Sequence, residues 1–489
     1  MKVAFIIPYF DITAYGVRML SSCLMDAGHE RRMIFLPIGE ERGGYVYPKE
    51  IAELLKPLVA GFDVIGFSLM TNHFSRIADL SSRLRKDNNA FFVWGGVHPT
   101  IAPETCFPYT NAVAYGEAEY TFLELLERLE KNLPLEDVSG FYISNNGEFR
   151  KGPSPRLIED LDSLPFPDYS LQDDWALYDN DSTEFEKLSL DNIKKYFDKI
   201  YVSKIKPGTA YQTMTSRGCP YDCTYCCNYA FKNKVYGGKY QFRSRDFSSV
   251  VKEIREIMDK FSWIEFVGIS DDAFFMNSTP RMKEFSELWN KEIKLKFFCL
   301  GSPVTVTKEK LDYLVDAGLI ALQMGVQTGS ERINELYNRS RIHRSKIIET
   351  AYVMNEFKDR LLPTYDIIIN NPWENLQDKL DTLSLFRELP KPFRPNIFSL
   401  VLFPGTKLHS MAKEDKSIPL EFYEFYVGGY EHRPLDYVNF LWALHTRFLP
   451  EKLLSLVSSY PVAWFFTRPV IRNIFALSYN IGRKIFGLK

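Results

Sequence analysis

Three cysteines lie close together near the middle of the chain, at Cys219, Cys223 and Cys226, and three and then two residues separate them. An aromatic residue, Tyr225, directly precedes the last one. Three thiolates on one short loop can each bind one iron of a [4Fe–4S] cluster, and the fourth iron then has an open position for a small molecule. The spacing therefore predicts an iron–sulfur centre with one free coordination site.

Zinc and disulfide chemistry are the alternatives for such a group of cysteines. A structural zinc site usually takes four ligands, commonly from two pairs, and no second C-x2-C or H-x3-H pair follows. A disulfide needs an oxidising compartment, and the apolar run in residues 1–7 lacks the cleavage site of a secretory signal. We interpret Cys227 as a free thiol, and three isolated cysteines as core residues: Cys23, Cys106 and Cys299.

Apolar segments alternate with amphipathic ones on both sides of the cysteines, which is typical of parallel α/β sheets. In residues 1–135 the pattern predicts strands at 3–8, 64–69, 91–94 and 112–115, and helices at 16–27, 73–85 and 119–131. Residues 136–205 are predicted to be a linker, with a helix and hairpin in 183–206. Residues 206–407 carry six predicted strands, at 212–216, 263–269, 296–300, 321–326, 365–370 and 396–402. Ligand sites in such folds lie at the carboxyl ends of the strands.

The cysteine run and the strand ends that follow it resemble the radical S-adenosylmethionine (SAM) enzymes, in which the open iron binds SAM. The resemblance implies a partial (β/α)6 barrel of the TIM type. It also implies a set of SAM contacts, which are Tyr225, Ser270, Asp271, Asp272, Gln327, Asp366 and Asn370. Gln327 and Asn370 replace the family's commoner glutamate and glycine. Asp271 and Asp272 have an alternative role as caps of the next segment, and Arg243 is expected in a surface salt bridge.

The first 135 residues resemble the cobalamin-binding domain, which is doubly wound (Rossmann/flavodoxin-like) and has the signature D-x-H-x-x-G, S-x-L and G-G. The implied cobalamin contacts are Asp11, Thr13, Gly16, Ser68, Gly95, Gly96, Gly116 and Glu117. Thr13 stands where the signature has the histidine that binds cobalt, and threonine is not an equivalent ligand. A nucleotide site or an empty sheet is the alternative for the same strand pattern. His98 is interpreted as a hydrogen-bonded structural residue.

The whole chain has the composition of a soluble globular protein, with 489 residues, 45% hydrophobic residues and a net charge of −2. This balance gives no reason to expect nucleic acid as a partner, and we expect a cytoplasmic location. Residues 408–489 are predicted to be a mostly helical segment. We expect it to cap the barrel, and the alternative is an amphipathic helix in peripheral contact with a membrane.

Together, the two resemblances imply a cobalamin-dependent radical SAM enzyme that methylates an unactivated carbon of a small molecule. In that class an external electron donor of the flavodoxin or ferredoxin type reduces the cluster. SAM is then cleaved to a 5′-deoxyadenosyl radical, and the substrate takes a methyl group from methylcobalamin. Oxidative cyclisation or ring rearrangement is the alternative within the class. A cobalamin- or light-sensing protein with a vestigial barrel is the alternative outside it, although the intact cysteines argue against this. The sequence identifies no catalytic side chain.

Overall fold

The computed structural model describes residues 1–8, 12–37, 46–145, 147–179, 181–197, 199–200, 207–420, 437–445, 450–468 and 471. The chain divides into two compact units. The first unit comprises Met1–Phe298 and Leu402–Gly429, and the second comprises Cys299–Val401 and Tyr430–Lys489. The two family resemblances therefore meet within the first unit, which contains both the N-terminal domain and the cysteines.

A nine-stranded sheet forms the N-terminal part of the first unit. Its strands are β1 (Lys2–Ile7), β2 (Glu30–Phe35), β3 (Val64–Ser68), β4 (Phe91–Gly95), β5 (Ala112–Ala114), β6 (Phe141–Asn145), β7 (Glu148–Lys151), β8 (Asp174–Ala176) and β9 (Glu186–Lys187). They lie in the order β7-β6-β5-β4-β3-β1-β2-β8-β9. β1 pairs in parallel with both β2 and β3, so the strand order reverses around it. Doubly wound sheets bind ligands at such a switch point.

Five helices accompany this sheet: α1 (Tyr15–Asp26), α2 (Lys49–Val59), α3 (Phe74–Leu84), α4 (Val97–Ile101) and α5 (Glu119–Glu130). All five residues from Val3 to Ile7 are buried, as is typical of a parallel strand that is covered on both faces. Ile6, Ile65 and Trp94 belong to one apolar cluster that spans the central strands. The core therefore supports the strand ends at which the cobalamin contacts were predicted.

The segment predicted to be a linker adds strands to both edges of the sheet. β6 and β7 form an antiparallel hairpin beside β5, and β8 pairs with β2 and carries β9. β2 was itself not predicted, because Arg31 and Arg32 interrupt its apolar pattern. Arg31 is buried and forms ion pairs with Asp168 and Asp174, so the charges that hide the strand are paired inside the protein.

The rest of the first unit begins the predicted barrel. Its strands are β10 (Lys199–Ile200), β11 (Gly208–Thr213), β12 (Ser216–Arg217), β13 (Arg243–Ser244) and β14 (Phe266–Ile269), and its helices are α6 (Cys227–Ala230), α7 (Phe247–Lys260) and α8 (Thr279–Glu292). β11 and β14 are parallel, whereas β12 and β13 are antiparallel and close the loop that carries the cysteines. β15 (Lys296–Gly301) then leads the chain into the second unit.

The second unit contains three parallel strands in the order β16-β17-β18, which are β16 (Leu319–Gln327), β17 (Leu362–Ile369) and β18 (Arg394–Ser399). The helices along this stretch are α9 (Lys308–Asp316), α10 (Glu331–Leu336), α11 (Arg344–Asn355) and α12 (Leu376–Glu388). After α13 (Lys407–Glu414), which belongs to the first unit, come α14 (Tyr437–His445), α15 (Glu451–Val457) and α16 (Tyr460–Phe466). The predicted barrel strands correspond to β11 and to β14 through β18, with ends shifted by a few residues.

The C-terminal part can be compared with its prediction only in part. It is helical where it is described, as expected, but residues 472–489 lie outside the described residues. Among the helices that the structure describes, none has the length and apolar character needed to cross a membrane.

Candidate active site

The cysteine loop, residues 218–226, begins at a crowded glycine. Gly218 has a φ of +88°, and a Cβ there would overlap the backbone carbonyl of Gln241, so glycine is required just before Cys219. Within the loop, the Cys226 amide donates to the Cys223 carbonyl at 3.0 Å. The Thr224 carbonyl accepts from the Leu408 amide at 2.8 Å. The loop is thus fixed by its own backbone and by the chain that follows the last strand.

Cys219, Cys223 and Cys226 form no disulfide bond, and all three are partly exposed. Burial raises the pKa of the Cys219 thiol to about 12, whereas a hydrogen bond with Cys227 lowers the pKa of Cys226. No group of three or more His, Cys, Asp or Glu side chains in the described residues converges on one metal ion. A [4Fe–4S] cluster does not need such convergence, because each thiolate binds a different iron. The residue types and their exposure therefore fit a cluster.

Asp271 forms hydrogen bonds with the residues that lead into the cysteine loop. Its side chain is fully buried, and its carboxylate accepts from the Thr215 amide at 2.6 Å, the Thr215 hydroxyl at 2.5 Å and the Ser216 hydroxyl at 2.6 Å. Burial raises its pKa to about 6, against the opposing effect of these hydrogen bonds. All three hydrogen-bond donors to this enclosed carboxylate come from the chain itself, so Asp271 positions the cysteine loop. We therefore correct the expected contact of Asp271 with SAM. Asp272 is exposed, as is Ser270, whose hydroxyl donates to Gln212 at 2.9 Å.

Two arginines, the half-buried Arg217 and the buried Arg243, join the hairpin of β12 and β13 to the N-terminal sheet. Arg217 donates to Glu119 of α5 at 2.6 Å, and Arg243 donates to both carboxylate oxygens of Glu117 at 2.7 and 3.0 Å. The surface position expected for Arg243 is therefore wrong, since the residue is buried. Glu117 is occupied by these contacts and by the Ile158 amide, which donates to it at 3.0 Å.

Gly116 belongs to the same junction. A Cβ on it would lie 2.8 Å from both Pro155 Cγ and the Tyr236 hydroxyl. Its backbone thus permits close packing of the sheet against the cysteine-loop hairpin. Gly116 and Glu117 thus connect the two predicted cofactor regions, and their contact with cobalamin stays a prediction.

A second buried network lies next to this junction and was not predicted. Glu253 of α7 accepts from the Tyr211 and Thr213 hydroxyls at 2.8 and 2.6 Å, and from Arg245 at 2.6 Å. Arg245 also donates to the Tyr15 hydroxyl at 3.0 Å, at the start of α1. A single polar helix residue such as Glu253 gives no signal in the sequence, since its partners lie on other elements.

The carboxyl edge of the N-terminal sheet has space and little side-chain cover at the predicted cobalamin contacts. Ser68 and Gly95 end the paired strands β3 and β4. Gly96 is exposed with a φ of +99°, and a Cβ there would lie 2.8 Å from the Leu69 carbonyl oxygen. The side chain of Met70 is 52% exposed at this edge. An apolar, partly glycine-lined edge fits a large flat ligand such as a corrin.

The segment after β1 contributes the other predicted contacts. Gly16 lies in the first turn of α1 with no atom within 4 Å of its Cβ position, so it leaves the edge open. Thr13 is buried, and its carbonyl accepts from the Tyr169 hydroxyl at 3.5 Å. Asp11 lies outside the described residues.

Neither of the two buried histidines close to this edge is placed to act as an open ligand. His98 is fully buried, and its two ring nitrogens contact the hydroxyls of Thr71 and Thr105 at 3.1 and 2.9 Å. Burial lowers the pKa of His98 to about 3, so the ring is neutral. This matches the structural role predicted for it, and His73 is likewise buried.

In the second unit, two predicted SAM contacts lie at the carboxyl ends of β16 and β17. Gln327 and Asn370 have φ values of +72° and +61°, a backbone region that residues other than glycine rarely adopt. The Asn370 amide donates to the Ser399 hydroxyl at 2.9 Å and its oxygen accepts from Asn439 at 2.6 Å. Strained backbone of this kind clusters at functional sites. Asp366, the third predicted contact in this unit, lies within β17 and not at its end.

Comparison with known protein families accounts for both predicted regions. Residues 213–386 match the Radical SAM superfamily, and residues 1–126 match the B12 binding domain. The chain is therefore a radical SAM enzyme with an α/β fold and a half-barrel of parallel strands. It belongs to the radical SAM enzymes that carry an N-terminal B12-binding domain, and its cofactors are SAM, a [4Fe–4S] cluster and cobalamin.

Three named relatives cover most of the chain. An uncharacterized methyltransferase of Pyrococcus horikoshii is 23% identical over 74% of this chain and 72% of its own. The bacteriochlorophyllide d C-8(2)-methyltransferase of Chlorobaculum tepidum is 23% identical over 81% and 83%. The anaerobic magnesium-protoporphyrin IX monomethyl ester cyclase of Synechocystis is 25% identical over 89% and 81%. Two of the three are methyltransferases by name and one is a cyclase.

Two solved structures share the fold. The radical SAM methyltransferase TsrM of Kitasatospora setae, with tryptophan and a SAM analogue bound, gives a TM-score of 0.65 at 14% identity and covers 84% of this chain and 76% of its own. The cobalamin-dependent radical enzyme OxsB, with aqua-cobalamin and SAM bound, gives 0.60 at 18% identity and covers 93% and 70%. At these identities the comparison establishes the arrangement of the chain and leaves the reaction open.

Proposed function

We propose that this protein transfers a methyl group from SAM, by way of cobalamin, to an unactivated carbon atom of a small molecule. The observation that carries the proposal is the ion pair between Arg217 and the buried Glu119. It joins the residue two positions before the first cluster cysteine to α5 of the B12-binding domain. A chain that fixes its cluster loop directly to its corrin-binding domain is suited to use both cofactors in one reaction.

When bound, the cofactors supply the radical and methyl chemistry, and the protein binds and positions them. Cys219, Cys223 and Cys226 would hold the cluster, with Asp271 and Gly218 fixing the loop that presents them. Ser68, Gly95, Gly96 and Gly16 would line the corrin site. Gln327 and Asn370 would approach SAM through their backbone, where the left-handed conformation exposes peptide groups.

The lower face of the corrin is proposed to lack a protein ligand. Thr13 replaces the histidine of the signature and is buried, and His98 is held between two hydroxyls. The proposal also requires an external electron donor of the flavodoxin or ferredoxin type, and it places the enzyme in the cytoplasm without nucleic acid as a partner.

A peripheral membrane contact is a further part of the proposal. Large apolar side chains on α15 and α16 are about half exposed, at Leu453, Leu456, Tyr460, Trp464 and Phe465. Residues 451–489 carry one acidic and six basic residues. Exposed aromatics next to excess positive charge match the chemistry of an anionic lipid surface.

Ring formation without methyl transfer is the second candidate, and the observation that favours it is the similarity to a named cyclase over 89% of the chain. It uses the same cofactors, so the folded site does not separate the two reactions. The products do: methyl transfer consumes one SAM to S-adenosylhomocysteine for every methyl group, and cyclisation does not.

The test is anaerobic reconstitution with iron, sulfide and hydroxocobalamin, followed by SAM and a strong reductant. We expect both 5′-deoxyadenosine and S-adenosylhomocysteine. 5′-Deoxyadenosine alone, from protein that retains cobalamin, would favour the cyclisation candidate. Failure to form either product, with no cluster assembled, would contradict an enzymatic role.

A further inference from the structure

Three neighbouring strands of the second unit direct polar side chains to one face. Along β16, Leu322, Met324 and Val326 are buried, and the residues between them are half-buried. The apolar set packs on the side of the helices, because Tyr365 of β17 contacts Phe386 of α12. The half-buried set therefore faces the inside of the half-barrel.

A carboxylate lies at the centre of this inner face. Asp366 of β17 accepts hydrogen bonds from the Gln323 side-chain amide of β16, at 2.9 Å to each oxygen. It also accepts from the Asn396 side-chain amide of β18 at 2.9 Å. Each of the three strands thus contributes one member, and both donors are uncharged.

No ion pair in the described residues includes Asp366. Asp378 in the same unit pairs with Arg332, and Asp271 is closed off from any ligand. Asp366 remains half-buried and can be reached. Burial raises the pKa of Asp366, against the opposing effect of its hydrogen bonds with Gln323 and Asn396 and of the charge on Arg339. The Arg339 guanidinium itself donates to the Gly325 carbonyl at 2.6 Å.

A negative charge held in an enclosed space without an ion-pair partner is stabilised by any ligand that brings a cation. The position of Asp366 within β17 determines which ligand can reach its carboxylate. Asp366 lies three residues before the end of β17 at Ile369, which is about 10 Å along an extended strand. It is therefore deeper in the barrel than Asn370, which is proposed to approach SAM at the end of β17, whereas Gln327 of β16 lies beside Ile367, one residue beyond Asp366.

We propose that Asp366, oriented by Gln323 and Asn396, binds a protonated amino group of the substrate. The inference rests on the proposed function in one respect, namely that a small molecule enters the inside of the half-barrel. It narrows the substrate class to molecules that carry a primary or secondary amine.

The test compares two ligands that differ in one group, phenethylamine and 2-phenylethanol, on protein reconstituted with cluster, cobalamin and SAM. We expect the amine to bind about tenfold more tightly than the alcohol, as measured by calorimetry. In Asp366→Asn this preference disappears while the affinity for SAM stays the same. Asp316→Asn, at an exposed ion pair on α9, is the matched control and keeps the preference.

Two results would overturn the inference. One is equal binding of amine and alcohol by the unmodified protein, a comparison that requires no variant to fold. The other is a loss of SAM affinity in Asp366→Asn with the amine preference retained, which would assign the carboxylate to SAM. S-Adenosylhomocysteine formation, measured on the same preparation, tests methyl transfer independently of the amine-binding subsite. Product without amine preference would overturn the subsite alone, whereas amine preference without product would support the subsite and contradict methyl transfer.

Discussion

At the scale of single residues, Cys226 and Cys227 are adjacent and differ in their expected role. Cys226→Ser is expected to lose the cluster, because one iron then has no thiolate. Cys227→Ser is the matched control, since a hydroxyl there can still form a hydrogen bond with Cys226. Iron and acid-labile sulfide per chain after anaerobic reconstitution measure both variants. A cluster retained in Cys226→Ser and lost in Cys227→Ser would contradict the ligand assignment.

Asp271 gives a pH dependence whose sign follows from its burial. Its pKa is raised from 3.8 to about 6 in the folded protein. The folded state therefore binds the proton more tightly than the unfolded state, and the protein loses stability as the pH rises from about 4 to about 6. The loss attributable to this group is up to about 3 kcal/mol. It is absent from Asp271→Asn.

Thermal unfolding midpoints of the two proteins between pH 4 and pH 7 check this prediction. We expect the difference between them to change across that range in favour of Asp271→Asn at the higher pH. A constant difference would mean that the carboxylate titrates in its ordinary range.

The residues that the sequence identified are those with a chemical type and a fixed spacing. The cysteines, the paired glycines at 95–96 and Thr13 all lie where a local motif places them. Asp271, Gly116 and Glu117 were assigned to ligands because they lie next to such motifs. The partners that Asp271 and Glu117 have within the chain, Thr215 and Arg243, are distant in sequence and give no motif. Local pattern cannot distinguish a carboxylate that meets a ligand from one that meets its own chain.

At the scale of elements, two of the ion-paired glutamates of α5 lie in opposite environments. Glu119 is buried and pairs with the half-buried Arg217, whereas Glu127 pairs with Lys131 at the surface. Glu119→Gln is expected to destabilise the protein by about 2 kcal/mol, because the largely buried Arg217 loses its carboxylate partner at 2.6 Å and keeps only Glu117 at 3.7 Å. It should also lower cluster content, since Arg217 precedes the cysteine loop.

Glu127→Gln, on the same helix, is the control and should leave both properties nearly unchanged. Thermal unfolding and iron content measure the pair of variants. Equal unfolding midpoints and equal iron contents in the two variants would show that the junction between α5 and β12 does not hold the cysteine loop.

Most elements were predicted because parallel strands covered on both faces give continuous apolar runs. β2 was missed, since its two arginines are paired with Asp168, Asp173 and Asp174 from a segment more than 130 residues later. The strands within 136–205 were missed for a different reason. They have two to five residues each, too few to show a period.

At the scale of the whole molecule, the exposed apolar residues of α16 predict binding to anionic vesicles. The double variant Trp464→Ser with Phe465→Ser is expected to bind less, by about tenfold, because two half-exposed aromatic rings are removed. Tyr352→Ser on α11 is the control, since Tyr352 is an equally exposed aromatic elsewhere. Co-sedimentation with phosphatidylserine vesicles measures all three proteins. Equal sedimentation of the double variant and the unmodified protein would contradict a membrane contact through α16.

The central claim is that the two cofactor domains act in one methyl-transfer reaction. Its most direct test is S-adenosylhomocysteine formation by cluster-loaded protein prepared with and without cobalamin, under reducing and anaerobic conditions. The account predicts this product from the cobalamin-loaded protein and none from the cobalamin-free protein. 5′-Deoxyadenosine without S-adenosylhomocysteine, from protein that holds both cofactors, would contradict it.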